Sequence, residues 1–581
     1  MAKEKDENPN IRYAVDEDPP HLLSAGLGLQ VVILILAGIA ITPIIVLRAA
    51  GVDEYANWLV FAAIFVSGLT TIIQARPIGP FGAAHVLFMG TSGAFIAVAI
   101  TAVVDGGIPL LATLVLVSAL IQFWFASRLH LLRKIINPTV GGTVIMLIAV
   151  TVFPIVFGML DDLPEGYNPE SPAALVTAVI TFIASVCITL FASGQLRLWG
   201  PLFGVVLGCI CAAAFGIMDF SRVASASWVG VPDQVFPGLD LSFDLRFWSL
   251  LPAFVIVTVV GAIETFGDGI AIQRVSSRKH KPVDFKTVQG AVYADGLGNF
   301  LSGLVGTLPN TTYSTSISVV DLTGVGARRI GIYGGGFLMA IAFSPKISAL
   351  LQAIPNPVVA AYATVLLVLL FGHGLRLVFE GGLSYENGIV VCLAFWLGTG
   401  FQNQWIFSDL IPGWAHTILD NGMTAGGMTA VLLTLILALK NRSKGRLTLE
   451  SAPGSIPKLH EYLSDLANSA GWDRTAVDRL HLAGEEALLF LISRTEQASD
   501  GAQSSVRVSG RETEGIIEVE FVSGPGAANL EGLVRDLGDV SKPVEEEAGL
   551  RILRHLVKGV RHQQFHQGDY LVLQVDSAPL A

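Results

Sequence analysis

Apolar runs of about twenty residues recur along most of this 581-residue chain, and no other feature constrains its fold more. Each run is long enough for a helix to cross the roughly 30 Å hydrocarbon core of a bilayer at about 1.5 Å per residue. Fourteen are read, near residues 22–47, 55–74, 84–103, 108–127, 139–160, 173–194, 198–217, 249–272, 286–305, 310–323, 328–351, 355–378, 385–401 and 424–440. The third and tenth are short or broken. Composition agrees: 52% of residues are hydrophobic and 14% charged, with a mean hydropathy of +0.62. A soluble domain carries roughly 25% charged residues. The expectation is a polytopic α-helical membrane protein in contact with lipid, followed by a soluble tail. The net charge of −11 says little, because the acids gather in the tail and outer loops, and nothing points to nucleic acid.

Basic residues orient the spans, because Lys and Arg are retained on the cytoplasmic side. Arg76 falls in the first inner loop; Arg128, Arg133 and Lys134 in the next; Arg197 in the third. Arg274, Arg278, Lys279, Lys281 and Lys286 share another, then Arg328 with Arg329, Arg376, and Lys440, Arg442, Lys444 and Arg446. The intervening segments carry Asp161, Asp162 and Glu165, the long 218–247 loop, and 402–423 with Trp405 and Trp414. Arg48 and Lys346 are exceptions. Both termini are therefore expected in the cytoplasm, in a cell (inner) membrane. Residues 1–21 form a polar N-terminal tail without an apolar core, so no cleavable signal peptide is expected and the first span directs insertion. Cys187, Cys209, Cys211 and Cys392 lie within apolar runs without metal-ligand spacing and read as small core residues.

An even division gives seven spans before about residue 245 and seven after, so the two interrupted spans occupy matching places. The third contains HVLFMGTSGAF at 85–95. The tenth lies in GTLPNTTYSTSISVVDLTGVGARR at 306–329, which has Pro309 and then the hydroxyls of Thr311, Thr312, Tyr313, Ser314, Thr315 and Ser316. Polar, irregular backbone at membrane depth is tolerated only where it lines a protein-walled cavity. An extended piece over 308–313 followed by a half-helix would point free N–H groups into such a cavity. Paired interruptions of this kind mark an inverted repeat with a substrate site between its halves. An ordinary loop between two helices is the alternative.

Inside the eighth span, VVGAIETFGDGIAI, Glu264 and Asp268 are four apart and share one helix face. Asp295, in YADGLGNF, is a third acid in the same half. A carboxylate at membrane depth is costly unless paired or protonated, which suits it to carry a proton or to accept a substrate N–H. Alternatively, Asp268 or Asp295 merely pins neighbouring helices.

ETFGD at 264–268, ADGLGNFLSGLVGTLPNTTY at 294–313, VVDLTGVGARR at 319–329, IPNPVVAAYATVLLVLLFGHGLRLV at 354–378 and GLQ at 28–30 together resemble the nucleobase–ascorbate transporters, the uracil, xanthine and urate permease family. The resemblance covers about residues 20 to 440. It implies seven plus seven inverted spans, a core (spans 1–4 and 8–11) moving against a gate (spans 5–7 and 12–14), a homodimer, and proton symport of a nucleobase-like solute. The implied substrate-binding residues are Glu264, Tyr313, Ser314, Thr315, Ser316, Ser92 and Gly93. Those implied in coupling to a proton or other ion are Glu264, Asp268 and Asp295. The chain departs from the family pattern where a Glu or Gln, an Asn and a Gly usually follow the Tyr: those positions are Thr315, Ser316 and Ser318. Gly93 stands where an aromatic normally stacks on the base, and Val31 where a His follows Gln30. A hydroxyl cannot give the paired contacts of a carboxamide, so the departures leave the solute open. Sulfate and bicarbonate permeases are expected on the same fold, which keeps a small-anion transporter or exchanger as an alternative. A membrane ligand sensor signalling through the tail is a second.

After Lys440 the composition changes. Residues 441–454 read as a linker and 455–581 as a cytoplasmic α/β domain, with LHEYLSDLA and LHLAGEEALLFLI helical and VRVSG, IIEVEFV and YLVLQVD extended. Its layout is similar to the histidine-kinase-like ATPase fold of anti-sigma-factor kinases. LAGEEALLFLI at 482–492 matches the helix that normally ends in a magnesium-holding Asn, and EEAGLRILRHLV at 546–557 matches the glycine turn. The Asn position is Phe490, and Ser523 stands where an Asp is expected. The resemblance implies a degenerate domain that acts in regulation, through the transporter or a cytoplasmic partner protein, or else in assembly. No nucleophile–base constellation, phosphate loop or metal cluster is legible, so neither an enzyme nor a cofactor is expected.

Overall fold

The computed structural model describes residues 10–128, 138–164, 167–168, 171–232, 234, 236–278, 282–380, 382, 384–407, 419, 422–440, 446–498, 505–513, 515–524, 529–535, 548–565 and 568–577. Arg133, Lys134, Glu165, Lys279, Lys281, Trp414, Arg442 and Lys444, which entered the charge reading, lie outside them. The chain divides into two compact units, residues 1–279 with 287–435 and residues 280–286 with 436–581.

The first unit is helical. Its elements are α1 (His21–Ala50), α2 (Ala56–Ala75), a short strand β1 (Met89–Thr91), α3 (Ile96–Ser127), α4 (Pro138–Gly158), α5 (Ala173–Phe191), α6 (Gly200–Ala214), α7 (Leu245–Val275), α8 (Phe285–Val305) and β2 (Asn310–Thr312). There follow α9 (Thr315–Thr323), α10 (Arg329–Ala342), α11 (Pro345–Gln352), α12 (Asn356–Glu380), α13 (Tyr385–Gln402) and α14 (Gly422–Lys440). Among the described residues eight helices are long and apolar enough to cross a membrane, or nine if α10 and α11, bent by 82°, make one span. The expected boundary between the third and fourth spans is a break inside α3. Gly107 adopts φ 73° and ψ −171°, and Pro109 follows. The stretch expected to form the tenth span is β2 followed by the nine-residue α9, which ends at left-handed Gly324.

Lipid offers no hydrophobic drive between helices, so close backbone approach decides which faces meet. A Cβ at Gly68 would lie 2.7 Å from the Gly335 carbonyl, and one at Gly335 2.5 Å from that of Gly68, which seats α2 against α10. Gly142 and Gly374 do the same for α4 and α12, at 2.4 and 2.7 Å. α5 and α6 turn Phe182, Ile183, Leu190, Val206 and Ile210 outward. Cys187 and Cys392, expected in the core, are exposed on such outward faces, because a span's outer surface is as apolar as its inner one.

The second unit is a five-stranded antiparallel sheet of order β3-β4-β5-β7-β6: β3 (Leu447–Glu450), β4 (Ser505–Thr513), β5 (Ile516–Ser523), β6 (Gly559–Phe565) and β7 (Gly568–Asp576). Two long helices, α15 (Ile456–Ser469) and α16 (Arg474–Ala498), bury Leu459, Leu463, Leu480 and Leu488 with Val508, Val519, Phe521 and Leu573 of the sheet. Short helices α17 (Leu530–Arg535) and α18 (Ala548–Leu556) complete it. Two expectations are corrected. The stretch 441–454 is not all linker, since Leu447–Glu450 pairs with β4 as an edge strand. The strand β6, polar in sequence (GVRHQQF), was not expected, because it is held by pairing with β7 rather than by apolar alternation.

Candidate functional site

The two short strands cross. β1 and β2 pair antiparallel, with Gly90 opposite Thr311 and Thr91 opposite Asn310. The flanking bonds Tyr313 N–H to Phe88 O (2.8 Å) and Ser92 N–H to Pro309 O (2.8 Å) extend the ladder. A two-stranded ribbon has outer edges that lipid cannot satisfy. Side chains serve them instead: Met89 N–H donates to Thr71 Oγ1 (2.9 Å) and Asn310 N–H to Asn299 Oδ1 (2.6 Å). Pro43 in α1 has no N–H, which frees the Ile39 carbonyl four residues earlier. Thr91 Oγ1 donates to that carbonyl at 3.0 Å and so fastens β1 to the interruption in α1. Gly90 is required by the crossing. A Cβ there would lie 2.5 Å from Tyr313 Cζ, and the Tyr313 hydroxyl reaches past it to donate to Thr91 O (2.8 Å).

The three acids fall in different surroundings. Asp268, buried on α7, accepts from Thr312 Oγ1 (2.7 Å) and Ser314 Oγ (2.9 Å), so it holds the entry of α9. Asp295, fully buried on α8, accepts from Gln122 Nε2 (2.6 Å). Gln122 Oε1 in turn accepts from Asn299 Nδ2 (2.7 Å), which fixes the orientation of that amide. Glu264, one turn before Asp268 and half-buried, has no hydrogen-bond partner among the described residues.

Two glycines border unfilled space, and one of them, Gly261, lies on the same helix as Glu264. An added Cβ at Gly93, or at Gly261 one turn before Glu264, would meet no atom within 4 Å, although Gly261 is buried. Thr315, half-buried at the first position of α9, has no hydroxyl partner among the described residues. The remaining candidates are engaged. Ser316 Oγ donates to Tyr313 O (2.7 Å) and accepts from Phe88 N–H, which makes it a tie between the strands. Ser92 is buried beside β1. Thr91, Gln122, Asn299 and Asn310 were not singled out from the sequence, and Thr312 was named only within the run of hydroxyls. Their signal was there, as polar side chains in apolar runs, each of which needs a partner at depth. What contacts them is distant in sequence and so illegible.

In the tail unit, the Phe490 ring meets the buried His562 ring edge-on, 6.3 Å between centroids. A Cβ at Gly549 would lie 2.3 Å from Glu486 Oε2, so that carboxyl packs against the start of α18. Burial and then the neighbouring Glu485 hold its pKa above the usual carboxylate range. Ser523 Oγ donates to its neighbour Gly524 O (3.2 Å).

Residues 24–406 match the model of a permease family, Xan_ur_permease. Xanthine permease XanP of Escherichia coli is 27% identical over 449 residues, covering 74% of this chain and 95% of that protein. Uric acid permease PucK of Bacillus subtilis is 25% identical over 412 residues, covering 70% and 94%. Among solved structures, murine Slc26a9, an anion transporter in the inward-facing state, superposes with a TM-score of 0.51 at 12% identity, covering 74% of this chain and 70% of that one. That likeness shows a helical membrane transporter fold.

Proposed function

This chain belongs to the xanthine/uracil permease family, and from that premise we propose that it is a secondary active transporter of nucleobase-like solutes of the xanthine and uracil class. The observation that carries the reading is the Glu264 carboxylate, without a hydrogen-bond partner among the described residues, one helical turn from unfilled space at the buried Gly261. A carboxylate accepts the adjacent ring N–H groups of a planar base, and Thr315 Oγ1 with the Thr315 N–H at the start of α9 suits its carbonyls, the Ser316 N–H being taken by Tyr313 O. Tyr313, Ser314, Ser316 and Ser92 then shape the pocket through the ribbon. A small anion fits an ionised Glu264 poorly.

Transport is coupled to protons through Glu264, while Asp268 and Asp295 hold helices together around it. A proton on Glu264 neutralises the loaded core and lowers the cost of carrying it past lipid. The architecture is fourteen spans in a seven-plus-seven inverted repeat, with β1 plus the first part of α3 matching β2 plus α9. The antiparallel pairing of the two interruptions supports this, as does the reciprocal glycine contact of α4 with α12. The core moves against the gate in an elevator motion. The protein is a homodimer in the inner membrane with both termini cytoplasmic. The tail is a degenerate histidine-kinase-like ATPase fold, with Phe490 in place of the magnesium-binding Asn, and it regulates the transporter or binds a cytoplasmic protein.

The test is radiolabelled xanthine uptake into proteoliposomes. Uptake is expected to saturate, to follow an inward proton gradient, to be competed by uracil or urate, and to ignore sulfate and bicarbonate. Uptake by the Glu264→Gln protein that still follows the gradient sinks the coupling role; sulfate competition sinks the solute class. In the same vesicles, a chain ending before residue 447 that transports at the full rate and keeps any cytoplasmic readout removes the regulatory reading.

A further inference from the structure

The polar stretch ahead of the first span is folded. Residues 10–19 run back along the helical unit as a strap. Arg12 and Tyr13 N–H both donate to Gly324 O (2.7 and 3.0 Å), Gly326 N–H donates to Tyr13 O (2.8 Å), and Arg328 N–H donates to Val15 O (3.2 Å), around a parallel bridge between Tyr13 and Val325. Ile11 is buried and Tyr13 packs on the core. Gly324, at φ +68°, has the Asn10 carbonyl so close that a Cβ would lie 1.9 Å from it.

The strap also joins two elements of the site. Arg278, just past the end of α7, makes a bidentate pair with Glu17, through Nη1 to Oε1 and Nη2 to Oε2 (2.8 Å), and Nη2 reaches Arg12 O as well (3.0 Å). Arg328 pairs with Asp16 and Arg329 with Asp18, where α9 turns into α10. The Ala14 N–H and then Arg278 hold the Glu17 carboxyl below its ordinary pKa, so it stays charged at neutral pH. Asp16 and Asp18 are 82% and 75% exposed, and isolated pairs of that kind contribute little. The strand-like backbone bonds and the bidentate Glu17–Arg278 pair are the parts that bind. They bridge a narrow seam, since a Cβ at Gly326 would lie 2.8 Å from Ser276 Cβ.

We propose that residues 10–19 are a positioning strap, which locks the end of α7 to the end of α9 and thereby keeps Glu264 in register with Thr315. The strap touches no substrate. It acts through α7, which carries Glu264 about three turns before its end, and through α9, which carries Thr315 at its start, and the solute assay rests on the transport reading above.

The test is a charge swap in the full-length protein: Glu17→Arg, Arg278→Glu and the double variant. Each single variant is expected to raise the xanthine KM about three- to tenfold with Vmax little changed, and the double to return it close to wild type. Amide hydrogen exchange over 313–326, which needs no substrate, is expected to speed up in each single variant and recover in the double. A double variant as impaired as the worse single overturns the proposal. So does faster exchange without a change in KM, which would make the strap a tie with no bearing on the pocket. If the wild type takes up no xanthine, the solute reading has failed. The strap then stands or falls on exchange at 313–318, and unchanged protection there in the single variants overturns it.

Discussion

Glu264 and Asp268 are the same chemical group one helical turn apart, and their neighbours give them opposite tasks. Asp268 is the acceptor for two hydroxyls, while Glu264 has none to serve among the described residues. Asp268→Ala strands Thr312 Oγ1 and Ser314 Oγ, and a buried polar group left unpaired costs roughly 1–3 kcal/mol. Asp268→Asn keeps one of the two acceptor oxygens, Oδ1 and Oδ2 each serving one hydroxyl, so it loses one of the two bonds and the charge assistance of the other. Thermal unfolding in detergent is therefore expected to rank Asp268→Ala below Asp268→Asn below wild type, with Glu264→Gln close to wild type. If Glu264→Gln unfolds as early as Asp268→Ala, the division of labour is wrong. The sequence made the pair visible through its four-residue spacing. It left open which acid pins and which is free, because Thr312 and Ser314 lie 44 and 46 residues away.

The crossing ribbon is the element on which the site depends. Its existence was legible. Pro309 and the run of hydroxyls, with the Gly–Thr–Ser–Gly of the third span, cannot continue an apolar helix. Its pairing was not, since Tyr313 and Thr91 are 222 residues apart and three-residue strands carry no alternation to read. The edge partners Thr71 and Asn299 were hidden for the same reason, as was the strap, whose polar composition read as a plain tail. The ribbon makes a sharp expectation for Gly90. An Ala there drives its Cβ into the Tyr313 ring at 2.5 Å, and overpacking of this kind costs about 1–3 kcal/mol. Adding Tyr313→Ala removes the clash, so the second substitution should cost less stability in the Gly90→Ala background than alone. Strict additivity of the unfolding midpoints would mean that the ring does not lie over Gly90.

At the scale of the molecule the question is whether the site moves as a body. Glu264 and the ribbon belong to the proposed core, and α4 belongs to the proposed gate. The two meet where Gly141 of α4 faces Ile263 of α7, the residue beside Glu264. A Cβ at Gly141 would lie 3.9 Å from Ile263 Cβ, inside the separation of about 3.5–4.5 Å that a disulfide needs. Gly141→Cys with Ile263→Cys, in a chain whose four native cysteines are replaced by Ser, should therefore close under mild oxidant. An elevator must slide this contact apart to expose the pocket on the other side, so the oxidised protein is expected to bind xanthine once and transport none. Reduction should restore uptake, while either single variant is indifferent to oxidant. Quantitative cross-linking with undiminished uptake would mean that α4 and α7 travel together, and the boundary between core and gate would have to be drawn elsewhere.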